Sequence, residues 1–239
     1  MSKKTTAIFI KTWVNDFPWL KYCLASIEKF ASGYDEIIVA VETQDINQFE
    51  NQFGNWMHMI KVIPVINPGI DGYMFQQICK LNAWLHTKCD YIQFMDSDCM
   101  FTRPVTPDDF IENGKPIILM TKYSSLGGSI PWQKPTETYM GSSVLYEYMR
   151  TNGLMYHKDT LVQISVYHPN LIWEIKQIRD RSFSEFNFIG AFAHKHVANK
   201  YAFKDTETDV WEPFPILQKW SWGGLTPEIR DELNLILQL

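Results

Sequence analysis

The sequence lacks several features that would place it in a class at once. No apolar run reaches the roughly 18 residues that cross a membrane. The opening segment, residues 1–6, leads into an apolar run that is too short for a signal peptide. There are 22 Lys and Arg against 27 Asp and Glu, which gives a formal charge of −5. The basic surplus that is typical of general nucleic-acid binders is therefore missing. We expect a soluble, cytoplasmic protein without a membrane span.

Cysteine is also scarce, and its spacing excludes common metal and redox motifs. The four cysteines are Cys23, Cys79, Cys89 and Cys99. None of them forms a CxxC pair, and none lies near a histidine at zinc-site spacing. A cysteine on an apolar helical face behaves as a small hydrophobic residue. We therefore expect free, buried thiols in a reducing compartment.

The sequence does contain an alternation of short apolar runs and helical patterns. Runs of strand length occupy residues 7–10, 36–41, 60–66, 91–95 and 117–120. Apolar residues at helical spacing occupy residues 18–30 and 73–86. This alternation predicts an α/β domain with a mostly parallel central sheet that helices cover on both faces. Ligands of such sheets bind at the carboxyl ends of the strands.

The second half of the chain has a different pattern. Residues 124–138 are rich in Gly, Ser and Pro and predict a long loop. From Leu154 onward the pattern is mainly helical, and Thr226 with Pro227 predicts the start of the last helix. The 239 residues suit a single domain with a helix-rich C-terminal part.

The sharpest chemical signal is a pair of aspartates. Asp96, Ser97 and Asp98 directly follow the apolar run 91–95. In an extended backbone, residues two apart point to the same side, so both carboxylates could converge on one cation. A hard divalent ion prefers such oxygen ligands and keeps positions open for substrate phosphates. The alternative is a solvated turn in which Asp96 acts as a cap.

These residues carry a resemblance to a known family. The stretch from Gly72 to Pro104, GYMFQQICKLNAWLHTKCDYIQFMDSDCMFTRP, resembles the core of GT-A glycosyltransferases with their DXD motif. Residues 8–30 are similar to the opening strand and helix of that fold, and residues 149–161 and 182–192 resemble its acceptor-side and catalytic segments. The resemblance covers the first two thirds of the chain well. It implies one GT-A domain over residues 1–239, with a nucleotide-sugar-binding half (1–123) and an acceptor and catalytic half (124–239).

The resemblance also implies residues for the donor and the metal. The donor-binding residues would be Thr12, Asp16, Glu42, Lys80, Asp96, Ser97 and Asp98. Asp96 and Asp98 would hold a divalent metal, Mn²⁺ or Mg²⁺. Three of these assignments have plain alternatives: Asp16 could cap the helix before Pro18, Glu42 could be a solvated strand end, and Lys80 could be solvated.

Glu185 is the predicted catalytic carboxylate. It lies in a segment that resembles the one carrying the base in inverting members, where an acceptor hydroxyl loses its proton as it attacks. The alternative is structural, because residues 182–185 also read as a capping box that opens a helix. Inversion and retention both remain open.

Other expected contacts involve histidines and tryptophans. Many GT-A enzymes use a late histidine as third metal ligand, but this chain has no histidine after His196. His157, His194 and His196 remain as weaker alternatives. Trp132, Trp220 and Trp222 are predicted to bind the acceptor, because tryptophan faces stack well on sugar rings and bases. Packing against the sheet edge is their alternative.

The resemblance therefore implies a hexosyl- or pentosyltransferase that uses a nucleotide sugar, with a UDP-sugar as the expected donor, and a hydroxyl acceptor. A glycan, a lipid-linked sugar, a protein or a modified DNA base could be the acceptor. One alternative is a nucleotidyltransferase that makes nucleotide sugars, but the loop of residues 11–16 lacks the glycines expected there. The other is a non-catalytic carbohydrate-binding protein, which would not need the aspartate pair.

Overall fold

The computed structural model describes residues 4–126 and 132–238. The strands are β1 (Thr6–Lys11), β2 (Glu36–Glu42), β3 (Lys61–Val65), β4 (Tyr91–Asp96), β5 (Cys99–Phe101), β6 (Ile111–Glu112), β7 (Lys115–Lys122), β8 (Tyr146–Glu147), β9 (Met155–His157), β10 (Ala202–Asp205) and β11 (Ile216–Gln218). The helices are α1 (Phe17–Phe30), α2 (Ile46–Phe53), α3 (Gly72–Leu81), α4 (Gln133–Met140), α5 (Lys158–Tyr167), α6 (Leu171–Ile175), α7 (Glu185–His196) and α8 (Pro227–Leu237).

The central sheet has the order β3-β2-β1-β4-β9 in the described part of the chain. The first four strands in this order run parallel, and β9 joins antiparallel to β4. Every residue of β1 is buried, as expected for a strand in the middle of a sheet covered on both faces. The predicted α/β class with a mostly parallel sheet is confirmed.

Helices cover the two faces of this sheet. On one face, Ile8 and Ile10 of β1 belong to a buried cluster with Phe17 of α1 and Phe49 of α2. On the other face, the alternate residue Phe9 belongs to a cluster with residues of α3 and α7. Strand side chains alternate between faces, so one apolar strand supports two cores.

The later part of the chain differs from the sequence prediction. The helical pattern predicted from Leu154 onward also contains β9, β10 and β11. β10 pairs with β7, which also contacts β6 and β8, and β11 pairs antiparallel with β5. These strands have three or four residues, which is too short for a period-two pattern to be recognised.

Two other predictions concern the loop and the last helix. The loop predicted for residues 124–138 is partly wrong, because α4 begins at Gln133; residues 127–131 lie outside the described residues. The predicted last helix is present, and the Thr226 hydroxyl accepts a hydrogen bond from the Ile229 amide at its start.

All four cysteines are buried free thiols, as expected. None of the helices described in residues 4–126 and 132–238 is long and apolar enough to cross a membrane.

Candidate active site at the carboxyl end of the central sheet

A cavity of about 660 Å³ opens where β4 ends, between α3, the start of α7 and the segment after β11. The carboxyl ends of parallel strands meet at one edge of a sheet, where ligands of such folds bind. The cavity is lined by Tyr73, Gln76, Gln77, Lys80, Asp96, Trp132, Met149, Arg150, Thr151, Asn152, Arg181, Glu185, Phe186, Gln218 and Trp220. The predicted residues Lys80, Asp96, Trp132, Glu185 and Trp220 therefore share one cavity.

Asp96 is held from α3. It is the last residue of β4, and its Oδ1 atom accepts hydrogen bonds from Lys80 Nζ at 2.7 Å and from Gln76 Nε2 at 2.7 Å. The alternative that Asp96 caps a solvated turn is wrong, because its side chain is only 23% exposed and is bound to α3.

Lys80 is a buried cation. Its side chain is 2% exposed, and its Nζ atom also donates to Glu185 Oε1 at 2.8 Å. The same nitrogen lies 4.3 Å from the centroid of the Phe186 ring. Burial lowers the pKa of Lys80, but the charges of Asp96 and Glu185 outweigh it and raise the pKa above its ordinary value. Lys80 therefore stays protonated, and the expectation of a solvated lysine is wrong.

Glu185 begins α7. Ser184 is the N-cap, and its side chain accepts a hydrogen bond from the Asn187 amide. The capping-box alternative for Glu185 is therefore wrong, since a capping box needs the carboxylate at the third helical position and Glu185 occupies the first. Its amide donates instead to Gln77 Oε1 at 2.9 Å, and its carboxylate contacts Lys80. Within the described residues, the Glu185 Oε2 atom accepts no hydrogen bond.

Asp98 lies in a turn rather than in extended backbone. β4 ends at Asp96 and β5 begins at Cys99, so the predicted extended geometry of the pair is wrong. The Asp98 carboxylate accepts from Gln218 Nε2 at 3.1 Å and from the Ser221 amide at 3.0 Å. We call residues 216–224, which include these two donors, the clamp segment.

The surroundings of Asp98 disfavour its charge. Burial raises the pKa of Asp98 to about 6, the charge of Asp96 adds to this, and the bonds from Ser221 and Gln218 oppose it. Burial also raises the pKa of Asp16, with a further contribution from Asp96. Asp16 occupies the N-cap position of α1 without a side-chain capping bond, so the capping alternative is wrong. Asp16 and Asp98 are therefore both close enough to Asp96 for its charge to raise their pKa.

The remaining predicted donor residues lie at, or just after, the ends of β1, β2 and β4. Glu42 is buried and forms an ion pair with Lys11 at 3.2 Å, so it is not a solvated strand end. Ser97 donates from Oγ to the carbonyl of Lys11 at 3.3 Å. Thr12 Oγ1 is buried and has no hydrogen-bond partner in the part of the chain that the structure describes. An orphaned buried hydroxyl is costly unless a ligand satisfies it.

The three tryptophans have different positions. Trp132 lies nearly parallel to Tyr73, with ring centroids 6.4 Å apart and an interplanar angle of 28°. Trp220 is 62% exposed and lines the cavity. Trp222 is 85% exposed and is not among the lining residues. Edge packing is therefore wrong for Trp220 and Trp222, and the structure does not place Trp222 with the other two.

The aspartate pair fits a divalent cation only in part. In residues 4–126 and 132–238, no three His, Cys, Asp or Glu side chains are grouped so that they could hold a metal ion. Asp96 and Asp98 therefore offer two carboxylates, each already hydrogen-bonded. Mg²⁺ is commonly bound by one or two carboxylates together with waters and substrate phosphates. The donor set suits a cation that arrives with, or is completed by, a phosphate ligand.

The histidines considered as third ligands have other contacts. His157 Nε2 pairs with the carbonyl of Lys200 at 3.1 Å. His194 Nδ1 pairs with the Tyr148 hydroxyl at 2.8 Å, and His196 packs against the Phe192 ring. None of the three lines the cavity.

Several lining residues were not predicted from the sequence. Gln76 donates to Asp96 and Gln218 donates to Asp98, and neither contact was predicted. Arg150 and Arg181 line the cavity and pair with Glu147 and Asp71. Arg150 lies in the segment 149–161 that resembles the acceptor side of GT-A enzymes, but nothing in that segment singles it out.

Comparison with known proteins places this site in a fold and a family. A family model described as "Family of unknown function (DUF6492)" matches residues 7–126, half of the chain. The chain belongs to this family. No curated protein matches the chain at a significant level.

A solved structure of galactosyltransferase LgtC, in complex with donor and acceptor sugar analogs, is similar over 97% of this chain and 95% of its own. The TM-score is 0.56 and the sequence identity is 12%. At this identity the likeness establishes a shared fold. The GT-A resemblance is thereby confirmed for the fold.

Proposed function

We propose that this protein is a metal-dependent glycosyltransferase that moves a sugar from a nucleotide-sugar donor to a hydroxyl acceptor. The observation that carries the proposal is the joining of Asp96, at the end of β4, to Glu185 through one buried lysine inside a single cavity. Asp98 follows in the next turn. This arrangement supports a donor site and a base side by side on a fold shared with a glycosyltransferase.

The charge balance supports the metal. Lys80 contacts Asp96 and Glu185, and the charges of Asp16 and Asp98 interact with that of Asp96. The two arginines that line the cavity are already paired with carboxylates of their own, so negative groups outnumber positive groups here. The diphosphate of a nucleotide sugar would be repelled here without a counter-ion. Mn²⁺ or Mg²⁺ at Asp96 and Asp98 would remove that repulsion and, when bound, would stabilise charge on the leaving diphosphate.

The donor nucleoside is assigned to the ends of β1 and β2. Thr12 offers a buried hydroxyl without a partner, and Glu42 offers a carboxylate held in place by Lys11. These groups suit the hydroxyls of a ribose or the edge of a base. UDP is the preferred nucleotide on the family resemblance.

Glu185 is the proposed base in an inverting reaction. Its Oε1 atom is bound by Lys80, which leaves Oε2 as the atom that would accept the proton of the acceptor hydroxyl. In a retaining reaction the leaving phosphate would take that proton, and Glu185 would only shape the cavity.

The acceptor is assigned to the outer part of the cavity. Trp132 and Trp220 supply flat faces for a sugar ring or a base, while Trp222 would act outside the cavity. These residues belong to the half 124–239, and the nucleotide contacts to the half 1–123. A glycan, a lipid-linked sugar, a protein or a modified DNA base all suit such a surface, and a cytoplasmic location stays a prediction.

Calorimetry with UDP, GDP and CMP tests the proposal, each nucleotide with Mn²⁺, with Mg²⁺ and with a chelator. We expect one nucleotide to bind only with the metal. Equal binding in chelator would overturn the metal requirement. A screen of UDP-sugars for release of UDP then separates an enzyme from a non-catalytic carbohydrate-binding protein.

A further inference from the structure

One helix holds the two halves of the proposed site together. From α3, Gln76 donates to Asp96, Gln77 accepts from the Glu185 amide, and Lys80 binds both carboxylates. Asp96 and Glu185 belong to different elements, the end of β4 and the start of α7. The distance between the donor aspartate and the proposed base is therefore set by α3.

The Lys80 ammonium has little capacity for another ligand. An ammonium group has three donors, and two of them reach Asp96 and Glu185 at 2.7 and 2.8 Å. The Phe186 ring covers the same nitrogen at 4.3 Å, and the side chain is 2% exposed. A donor phosphate could approach it only by displacing one of these partners.

We propose that Lys80 is a positioning residue that fixes Glu185 beside Asp96 and competes with the divalent cation for Asp96, and that it is not a phosphate ligand. This inference rests on the proposed function. It assigns Lys80 a role that differs from the donor contact implied by the family resemblance. It also explains how Asp96 and Glu185 coexist in a buried site, because their repulsion is offset by the charge between them.

The two roles predict opposite changes in binding. A phosphate ligand strengthens donor affinity, so its removal weakens UDP binding. A competing ammonium weakens cation binding, because it repels the cation and occupies Asp96 Oδ1. Removal of the ammonium should therefore strengthen Mn²⁺ binding, by roughly tenfold for a charge at this range.

The experiment compares wild type with Lys80→Met, which keeps the length and removes the charge. Mn²⁺ and Mn²⁺-UDP affinities are measured by calorimetry, and kcat and KM by UDP release. We expect tighter Mn²⁺ binding, an unchanged or lower donor KM, and a kcat lowered by about 10²-fold, the loss that a 1 Å misplacement can cause. Lys80→Arg restores the charge and should recover part of the kcat.

A second pair of variants covers the case in which Lys80→Met fails to fold, since that variant leaves Asp96 and Glu185 without their shared cation. Glu185→Gln is compared with Lys80→Met/Glu185→Gln, and the double variant should bind Mn²⁺ more tightly than the single variant. Weaker Mn²⁺-UDP binding with an unchanged kcat would overturn the positioning role. Wild-type protein that binds neither Mn²⁺ nor any nucleotide would overturn the proposed function itself.

Discussion

Asp96 and Asp98 are separated by one residue, yet they are bound by different parts of the molecule. Asp96 contacts an ammonium and an amide from α3, and through Lys80 it is linked to Glu185. The Asp98 carboxylate accepts from Gln218 Nε2 and from the Ser221 amide, two uncharged donors of the clamp segment. The first carboxylate is tied to the proposed base, and the second to the C-terminal part that carries Trp220.

The difference indicates a division of roles within the proposed metal-binding pair. A cation at both carboxylates would contact the network of α3 and α7 through Asp96 and the clamp segment through Asp98. Lys80 already neutralises part of the charge of Asp96. Within residues 4–126 and 132–238, Asp98 forms no ion pair, and its pKa is raised to about 6 by burial and by Asp96. Asp98 should therefore gain more from the cation than Asp96 does.

The largest expected effect follows from removing either carboxylate. We expect Asp98→Ala to abolish Mn²⁺ binding and turnover and to increase amide hydrogen exchange in residues 216–224, because two hydrogen bonds to this segment are lost. Asp96→Ala should also abolish turnover but should leave exchange in that segment unchanged. Calorimetry, UDP release and hydrogen exchange measure the three properties.

Either of two results would contradict the proposed difference between Asp96 and Asp98. Unfolding of Asp98→Ala would make Asp98 a structural residue, and increased exchange of the clamp segment in both variants would make the two carboxylates equivalent. A circular dichroism melt of each variant provides the control for folding.

Glu185→Gln tests the base on the Asp96 side. We expect kcat to fall by about 10²–10⁴-fold, as for loss of a general base, with the donor KM nearly unchanged. Glu42→Gln is the matched control, because Glu42 is also a buried carboxylate paired with a lysine but lies on the donor side. It should raise the donor KM and leave kcat nearly constant. A wild-type kcat for Glu185→Gln would favour retention.

The fold was more predictable from the sequence than the contacts within the site. The runs that form β1, β2 and β4 are continuous and apolar, and their alternation with helical patterns predicts a mostly parallel sheet. The position of Asp96 at a strand end followed directly from this pattern. Local patterns were sufficient here because each of these elements is determined by neighbouring residues.

The ion pair between Lys80 and Glu185 was not predictable in the same way. These residues are 105 positions apart, and only the packing of α7 against α3 brings them together. Residues 182–185 contain two serines that could be the N-cap of α7. The capping-box pattern predicted Ser182, but the N-cap in the structure is Ser184. Non-local pairing also explains why the short strands β9, β10 and β11 were missed.

A smaller effect concerns stability and pH on the Asp98 side. The folded pKa of Asp98 is about 6, above its ordinary value of 3.8. The folded protein therefore binds more protons than the unfolded chain between these values, and this group lowers stability as pH rises through that window. Above pH 6, the ionised Asp98 lowers the free energy of unfolding of the metal-free protein by its full amount, on the order of 1–3 kcal/mol.

We therefore expect metal-free Asp98→Asn to be more stable than wild type at pH 7.5, with the difference shrinking toward pH 4.5. Urea unfolding at several pH values measures it. Asp98→Asn should also lose the stabilisation by Mn²⁺ that wild type gains above pH 6. If both proteins show the same pH dependence, the charge of Asp98 is not destabilising and the contrast with Asp96 fails.

The smallest expected effect concerns the tryptophans of the clamp segment. Trp220 lines the cavity, while Trp222 is more exposed and is not among the lining residues. An aromatic face that stacks on a ligand contributes about 0.5–1.5 kcal/mol, so Trp220→Ala should raise the acceptor KM roughly two- to tenfold. Trp222→Ala is the matched control and should leave it nearly unchanged, with both variants keeping the donor KM of wild type. An equal rise for both would extend the acceptor site beyond the cavity, and no rise for either would separate the Asp98 side of the molecule from acceptor binding.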